Sequence, residues 1–459
     1  MNAIKNNRSV AVIGAGPAGL AAARSLKSAG IPFVVYEKHS DVGGIWDQNN
    51  EGSPMYDSAH FISSRTMSGF AGFPMPATYP DYPSHIQILE YIRDFARSFG
   101  LYEHIRFDSK IRTVARHGQL WRVELDSGEK RDFRGVICAS GSTWIENLPR
   151  WPGEFSGEIR HSRGYRSIRE FMGKRVLIVG AGNSGVDIAC DAAQAASAAY
   201  LSIRRGYHFV PKHTFGKPTD VFAARQPPLP LRLRQWLFQT IIRIHLGDTR
   251  RLGMPEPDHR ILESHPIMNS QIVHYLQHGD IEIKPDIDRL DGDRVLFNDG
   301  TSVEVDIILC ATGYTMEIPY LEPGSIPIHD GRPDLYLNIF SRDHEGLFGL
   351  SFLETNAGVF SLFDTMSDLI VNSLRDREAR PDEHRKFRDM VQADTPDLSG
   401  GVNYVQSERS GNYVNKEAYK ANMDGLLRKF DWQSFSKSAA SQRDPGTRRA
   451  PALVGGTHS

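Results

Sequence analysis

Two short glycine-rich stretches hold the residues whose types and spacing are most able to do chemistry. In IGAGPAG, Gly14, Gly16 and Gly19 stand in G-x-G-x-x-G spacing; in VGAGNSG the spacing returns as Gly180, Gly182 and Gly185, with Asn183 and Ser184 between them. Between a buried strand and a helix, such a loop turns tightly at its first glycine and lets backbone approach a pyrophosphate at its second. The third lets helix pack on strand, and the helix N-terminus offers unpaired N–H groups to the anion. One copy would equally suit an ordinary glycine turn. Two copies, a domain apart and each preceded by an apolar run (SVAVI and RVLIV), predict two bound dinucleotides.

The residues downstream separate the two loops. Glu37 follows FVVY, where a carboxylate can accept hydrogen bonds from both ribose hydroxyls of an adenosine and would repel a 2′-phosphate, an FAD-type opening. The second unit ends its strand in Ser202, Arg204 and Arg205, with no acid at the position of Glu37. A guanidinium fork takes phosphate oxygens in a bidentate pair, which favours NADP over NAD. Arginines that are simply solvated at a strand end are the alternative.

Positioning these groups requires a strand-helix-strand unit around each loop, and each unit is followed by a meander. FDSKIRTVARHGQLWRVELDSGEKRDFRGVICASG and IEIKPDIDRLDGDRVLFNDGTSVEVDIILCATGY share hairpin strands, polar turns and a closing apolar strand. The fold expected is α/β, with two Rossmann-like, three-layer (ββα/βαβ) domains and the NADP domain inserted into the FAD domain. The boundaries predicted are 1–165 for the first part of the FAD domain, 166–312 for the NADP domain with an insertion at 218–257, and 313–436 for the return to the FAD domain. The tail 437–459 has too few apolar residues to pack and is expected to be disordered.

The 459 residues suffice for two or three cores, and a formal charge of −1 offers no basic field, so no nucleic-acid partner is expected. Cys138, Cys190 and Cys310 lie too far apart for CxxC chemistry and predict buried, inert, reduced thiols. No metal site is expected. No apolar run approaches the roughly 20 residues that cross a bilayer, and the first strand begins without a signal-peptide core, which predicts a cytoplasmic protein.

FSGEIRHSRGY, Phe155 to Tyr165, lies between the two glycine loops and matches the F-x-G-x-x-x-H-x-x-x-Y pattern of flavin-containing monooxygenases. GGIW, with Gly44 and Trp46, and ATGY, with Thr312 and Gly313, also resemble segments of that family. From about Val10 to Asp376 the chain is similar to its members. The resemblance implies FAD and NADPH as cofactors, O2 as co-substrate, a C4a-hydroperoxyflavin, and oxygen transfer to a small organic molecule. It places Gly44, Trp46, Thr312, Gly313 and His161 among the cofactor-binding residues, with His161 fixing an interdomain linker near the nicotinamide rather than moving protons. Related Baeyer–Villiger enzymes carry Trp followed by Pro or Asp where this chain has Tyr165 and Arg166, which favours N- or S-oxygenation.

One departure stands out. Where many family members have an asparagine near the flavin N5 and C4a, alignment of the neighbouring landmarks places Ile62, which cannot donate a hydrogen bond. Ser63, Ser64 and Arg65 are adjacent and could replace that donor; Arg65 could hold anionic oxygen, or could equally pair with a carboxylate or a flavin phosphate. The insertion contains an amphipathic stretch with Leu231, Leu233, Trp236, Leu237, Ile241 and Ile244, expected to be a lid or a homodimer contact in preference to a membrane-surface helix. Thr355 to Gly358, including Asn356, is expected in a helical first turn meeting the flavin pyrimidine. Three function classes follow: the monooxygenase, an uncoupled NADPH oxidase releasing H2O2, and a disulfide reductase or nucleotide-binding protein. The lack of CxxC disfavours the reductase.

Overall fold

The computed structural model describes residues 9–225, 229–405 and 413–441. The first unit opens with β1 (Val10–Ile13), α1 (Pro17–Ser28) and β2 (Phe33–Tyr36), and continues through the single helical turn α2 (Arg65–Ser68), β3 (Ile105–Arg106) and β4 (Gly135–Cys138). The second unit follows with β5 (Glu158–His161), β6 (Arg175–Val179), α3 (Asn183–Ala195) and β7 (Ala198–Ser202). It then carries the insertion helices α4 (Thr219–Ala224) and α5 (Leu231–Leu246) before β8 (Glu282–Lys284) and β9 (Ile307–Cys310). The chain returns through β10 (Leu335–Tyr336), β11 (Phe340–Ser341), β12 (Leu347–Gly349), α6 (Phe360–Ala379) and α7 (Lys416–Lys429).

The first sheet has seven strands in the order β10, β11, β12, β4, β1, β2, β3; it is parallel from β12 to β3, with an antiparallel edge. The second has five parallel strands, β5, β9, β6, β7, β8. Why the interior parallel strands are largely apolar follows from the layers. Val10 and Val12 join the core beneath α1 and α6, while Ala11 and Ile13 pack with Trp121, Val123 and Phe133 of the first meander. The second unit repeats this: Val176 and Ile178 pack with α3, and Leu177 and Val179 with Val295 and Phe297 of the second meander. A strand covered on both faces has no polar side to show.

Strand pairing moves one boundary. Gly153–Phe155 pairs with Ile287–Gly292 of the second meander, and β5 pairs with β9 in the second sheet, so both strands, expected in the first domain, pair with the second unit. The two crossings between the units lie side by side as an antiparallel ribbon, Ile145–Glu146 against Tyr314–Thr315. The tail boundary moves too: a helix spans Phe435–Ser441, anchored because Ser434 and Ser436 donate to the buried Asp368 carboxylate of α6. The rest of the expected tail, from 442, and residues 226–228 of the insertion lie outside the described residues. Thr355 ends a short strand paired with Tyr413–Val414, and residues 356–358 lie ahead of α6, not in its first helical turn. All three cysteines are buried, and desolvation pushes each thiol up to about 12, which keeps them unreactive. Among the described residues no helix is long and apolar enough to cross a membrane.

Candidate active site between the two dinucleotide units

Each glycine loop sits at the C-terminal end of the middle one of the five parallel strands of its sheet, and the structure gives each glycine its own reason. Gly14 and Gly180 have φ of +105° and +101°, and a Cβ there would meet the carbonyl oxygens of Ala139 and Ala311 at 2.6 and 2.7 Å. Gly19 and Gly185 admit no Cβ because it would fall 1.8 and 2.0 Å from the Gly14 and Gly180 carbonyl oxygens. Gly16 and Gly182 differ. Their backbones, φ −74°, ψ −176° and φ −69°, ψ 175°, suit any residue, and a Cβ on Gly16 would meet only Gly44, at 3.5 Å. Backbone conformation requires glycine at neither position, and protein packing does not require it at Gly16. Close approach of a ligand would, as expected where a pyrophosphate meets a helix N-terminus.

Glu37 ends β2 behind the first loop, buried, its two carboxylate oxygens accepting from the Ala15 N–H (2.6 Å) and the His39 N–H (2.9 Å). Both oxygens keep lone pairs for ribose hydroxyls. At the matching place in the second unit, Ser202 is buried and donates to the Pro285 carbonyl (2.7 Å). The two arginines part company here. Arg204 is exposed and no described residue pairs with it, whereas Arg205 is bound to Asp258 at 2.8 Å. A hydrogen bond from His259, and then the one from Arg205, hold the Asp258 carboxyl down at about 2, so it stays charged and would oppose a 2′-phosphate near Arg205. Arg204→Ala is therefore expected to raise the NADPH KM about tenfold or more, the size of a lost charge-assisted contact, and to leave the NADH KM nearly unchanged; Arg205→Ala should do less. Steady-state kinetics with both nucleotides check this.

Asn183 holds protein rather than pointing its amide at a ligand: it accepts from the Met268 N–H (2.8 Å) and donates to the Pro266 carbonyl (3.2 Å). Only the backbone of Asn183, and the exposed Ser184, remain for a phosphate. Thr312 likewise spends its hydroxyl on the Asn147 carbonyl, which fastens the two crossings together. His161 is buried at the end of β5; its Nε2 donates to the Gly313 carbonyl at 2.9 Å and its Nδ1 accepts from the Arg163 N–H at 3.1 Å. Burial lowers its pKa, so the ring is neutral and the tautomer is fixed by its partners. Tyr165, also buried, donates to Asp191 of α3 (2.9 Å), which Ser58 of the first unit reaches at 2.6 Å. The linker is thus tied to both units.

Trp46 packs edge-on against Phe61, centroids 5.0 Å apart, bringing the Gly44–Trp46 turn beside the Ile62–Arg65 segment. Ile62 joins an apolar cluster with Val210 and Met268 of the second unit, Phe238 and Ile242 of α5, and Ile261 and Leu262. The insertion helix therefore turns Phe238 and Ile242 into the cluster that Ile62 joins and exposes Leu233, Trp236 and Ile244 elsewhere. Ser63 accepts from Ser68 (2.7 Å), leaving its own proton free to donate. The Arg65 guanidinium, its Nε buried, has no partner among the described residues. Asn356 is exposed, and its Oδ1 accepts from the Lys416 N–H at 2.9 Å, which leaves its Nδ2 to donate. Two residues at this place had no signal in the sequence: Asp220 of α4, which accepts from the Ser64 N–H at 2.7 Å, and Lys416, whose Nζ donates to the carbonyls of Gly358 (2.6 Å) and Met67 (3.2 Å).

A duplicated three-layer unit with a glycine loop in each copy and a shared junction defines a two-dinucleotide flavoprotein fold. The chain belongs to the flavin-binding monooxygenase-like family, whose family model matches residues 7–427. It is 32% identical over 355 residues to human flavin-containing monooxygenase 5, covering 72% of this chain and 66% of that protein, so the match spans about two thirds of that relative. Among solved structures it is similar to S-allyl-L-cysteine S-oxygenase from Allium sativum (TM-score 0.63, 22% identity, 95% of this chain and 92% of that one). It is also similar to cyclohexanone monooxygenase in an open form (TM-score 0.67, 19% identity, 92% of this chain and 98% of that one). Both likenesses concern the fold alone. FAD and NADPH, the cofactors the family implies, fit the residues present: Gly16, Gly44 and Glu37 would hold the first, Gly182 and Arg204 the second.

Proposed function

We propose that the protein is an NADPH-dependent FAD monooxygenase that transfers one oxygen atom of O2 to a small soft nucleophile, an amine nitrogen or a sulfide sulfur. The observation that carries this reading is the asymmetry of two otherwise duplicated loops, one backed by buried Glu37 and the other by unpaired Arg204, joined through the neutral His161 linker. FAD reduced by NADPH supplies the activation of O2. The chain's own residues do the rest. Gly16 and Gly182 admit the two pyrophosphates; His161 fixes Gly313 without moving a proton; Ile62, in the apolar cluster it shares with Phe238 and Ile242, excludes water from its side of the junction. Ser63 and Arg65 are the donors left to hold developing negative charge on oxygen. Tyr165 followed by Arg166 supports nitrogen or sulfur over a carbonyl carbon as the acceptor.

The test is NADPH consumption against panels of amines, sulfides and ketones, with products weighed by mass spectrometry. An N-oxide or sulfoxide is the expected product; an ester or lactone from a ketone would replace this reading with the Baeyer–Villiger one. A second reading, an oxidase that releases H2O2, has Ile62 in its favour, because an aliphatic side chain excludes water but donates nothing. Arg65→Ala is expected to raise H2O2 per NADPH about tenfold, the order of one charged donor lost, and Ile62→Asn to lower it. Stoichiometric H2O2 from the unaltered protein with every substrate would establish the oxidase.

A further inference from the structure

The helical turn α2, which begins at Arg65 directly after Ile62, Ser63 and Ser64, is held at both ends by charged groups from elsewhere in the chain. At its start, Asp220 Oδ2 accepts the Ser64 N–H at 2.7 Å. At its end, Lys416 Nζ donates to the Met67 carbonyl at 3.2 Å and to the Gly358 carbonyl at 2.6 Å. Gly358 is pressed so closely against α2 that a Cβ would lie 2.4 Å from Ser68 Oγ and 2.7 Å from the Met67 carbonyl oxygen. A carboxylate at the N-terminus and an ammonium at the C-terminus each match the partial charge of the peptide groups there. The two groups come from opposite directions. Asp220 belongs to the insertion of the second unit, Lys416 to the first residue of α7 in the returning part of the first.

We infer that Asp220 and Lys416 are positioning residues for oxygen transfer, fixing the Ser63–Arg65 segment so that its hydroxyl and guanidinium face the reacting oxygen. The inference rests on the monooxygenase reading of that segment. Asp220 makes the position of α2 depend on where the second unit sits, so the donors are in place when that unit is docked. Lys416 keeps its charge in a half-buried place where two backbone carbonyls are its hydrogen-bond acceptors; the charged groups facing it are Glu417 on its own helix and Asp220 across the junction. Desolvation lowers its pKa below the ordinary lysine range, and those two carboxylates oppose the fall. The bridge made by the charged Nζ weakens as pH rises through the lowered value, earlier than for a solvated lysine.

The experiment uses holoenzyme with the substitutions Asp220→Ala, Lys416→Met and Lys416→Arg, each read in two ways: product formed per NADPH consumed, and the visible circular dichroism of the bound flavin, both across pH 7 to about 11, a span that brackets ordinary lysine titration. Asp220→Ala and Lys416→Met should lower product per NADPH about tenfold, with H2O2 making up the difference and flavin content unchanged. The unaltered enzyme should show an alkaline limb in both readouts. Lys416→Arg should move that limb upward out of range, because a guanidinium does not deprotonate there, and Lys416→Met should abolish it. A merely structural contact would move stability without moving the limb. An unchanged product ratio in Asp220→Ala and Lys416→Met, or a limb that stays in place in Lys416→Arg, overturns the inference. If Lys416→Met fails to fold, the comparison of Lys416→Arg with the unaltered enzyme decides it. If no substrate yields oxygenated product, the proposed function has failed, and the dichroism limb still decides whether Lys416 shapes the flavin site.

Discussion

Gly16→Val is expected to purify as a folded, colourless protein. The backbone at Gly16 is extended and open to any residue, and a Cβ there touches Gly44 at an ordinary 3.5 Å, so the protein itself tolerates a side chain. What it cannot tolerate is a branched side chain in the space where backbone must approach a pyrophosphate. Visible absorbance per mole of protein should fall nearly to zero, and the melting temperature should match that of unaltered protein stripped of flavin, since only ligand stabilisation is lost. Gly19→Ala is the contrasting control. Its methyl would fall 1.8 Å from the Gly14 carbonyl oxygen, so that variant should unfold or fail to accumulate. A Gly16→Val protein carrying its full complement of FAD would place the flavin elsewhere.

The mirrored substitution should give the mirrored result. Gly182→Val is expected to stay yellow, with reduction by NADPH slowed about a thousandfold, roughly 4 kcal/mol, because the second pyrophosphate loses its place while the first loop is untouched. Gly182 has the same unstrained backbone as Gly16, φ −69° and ψ 175°, so its backbone conformation gives no reason for it to be glycine. Anaerobic stopped-flow reduction measures the loss, and chemical reduction by dithionite should proceed at the normal rate in the same sample. Loss of flavin from Gly182→Val with retention in Gly16→Val would exchange the two assignments.

The insertion explains why the departure at Ile62 need not leave the junction wet. Phe238 and Ile242 of α5 share an apolar cluster with Ile62, and Leu262 of the same cluster holds φ at +74°, a conformation uncommon for a residue other than glycine. Gln235, buried on α5, donates to the neighbouring Ile261 carbonyl at 3.0 Å. The amphipathic pattern predicted such a helix. Which face turned inward, and onto what, was not in the pattern.

That difference runs through the whole molecule. The sequence by itself determined whatever is local: the two strand-turn-helix loops, the buried parallel strands, the meanders, Glu37 at one strand end and Arg204 at the other, and the linker with His161. Each of these is a requirement on consecutive backbone or on alternation within a strand, which residue types and spacing express directly. Tertiary structure decided the rest. Arg204 and Arg205 are neighbours with the same chemistry, and only folding brings Asp258 to one of them and leaves the other free. The first domain boundary moved because Gly153–Phe155 and β5 find their partners in strands far downstream, and no local signal records which sheet a short strand will join. Asp220 and Lys416 each meet α2 across long sequence separations, through backbone groups of Ser64, Met67 and Gly358. A backbone N–H or carbonyl is the same in every residue, so a side chain that recognises one leaves no mark on its partner's sequence.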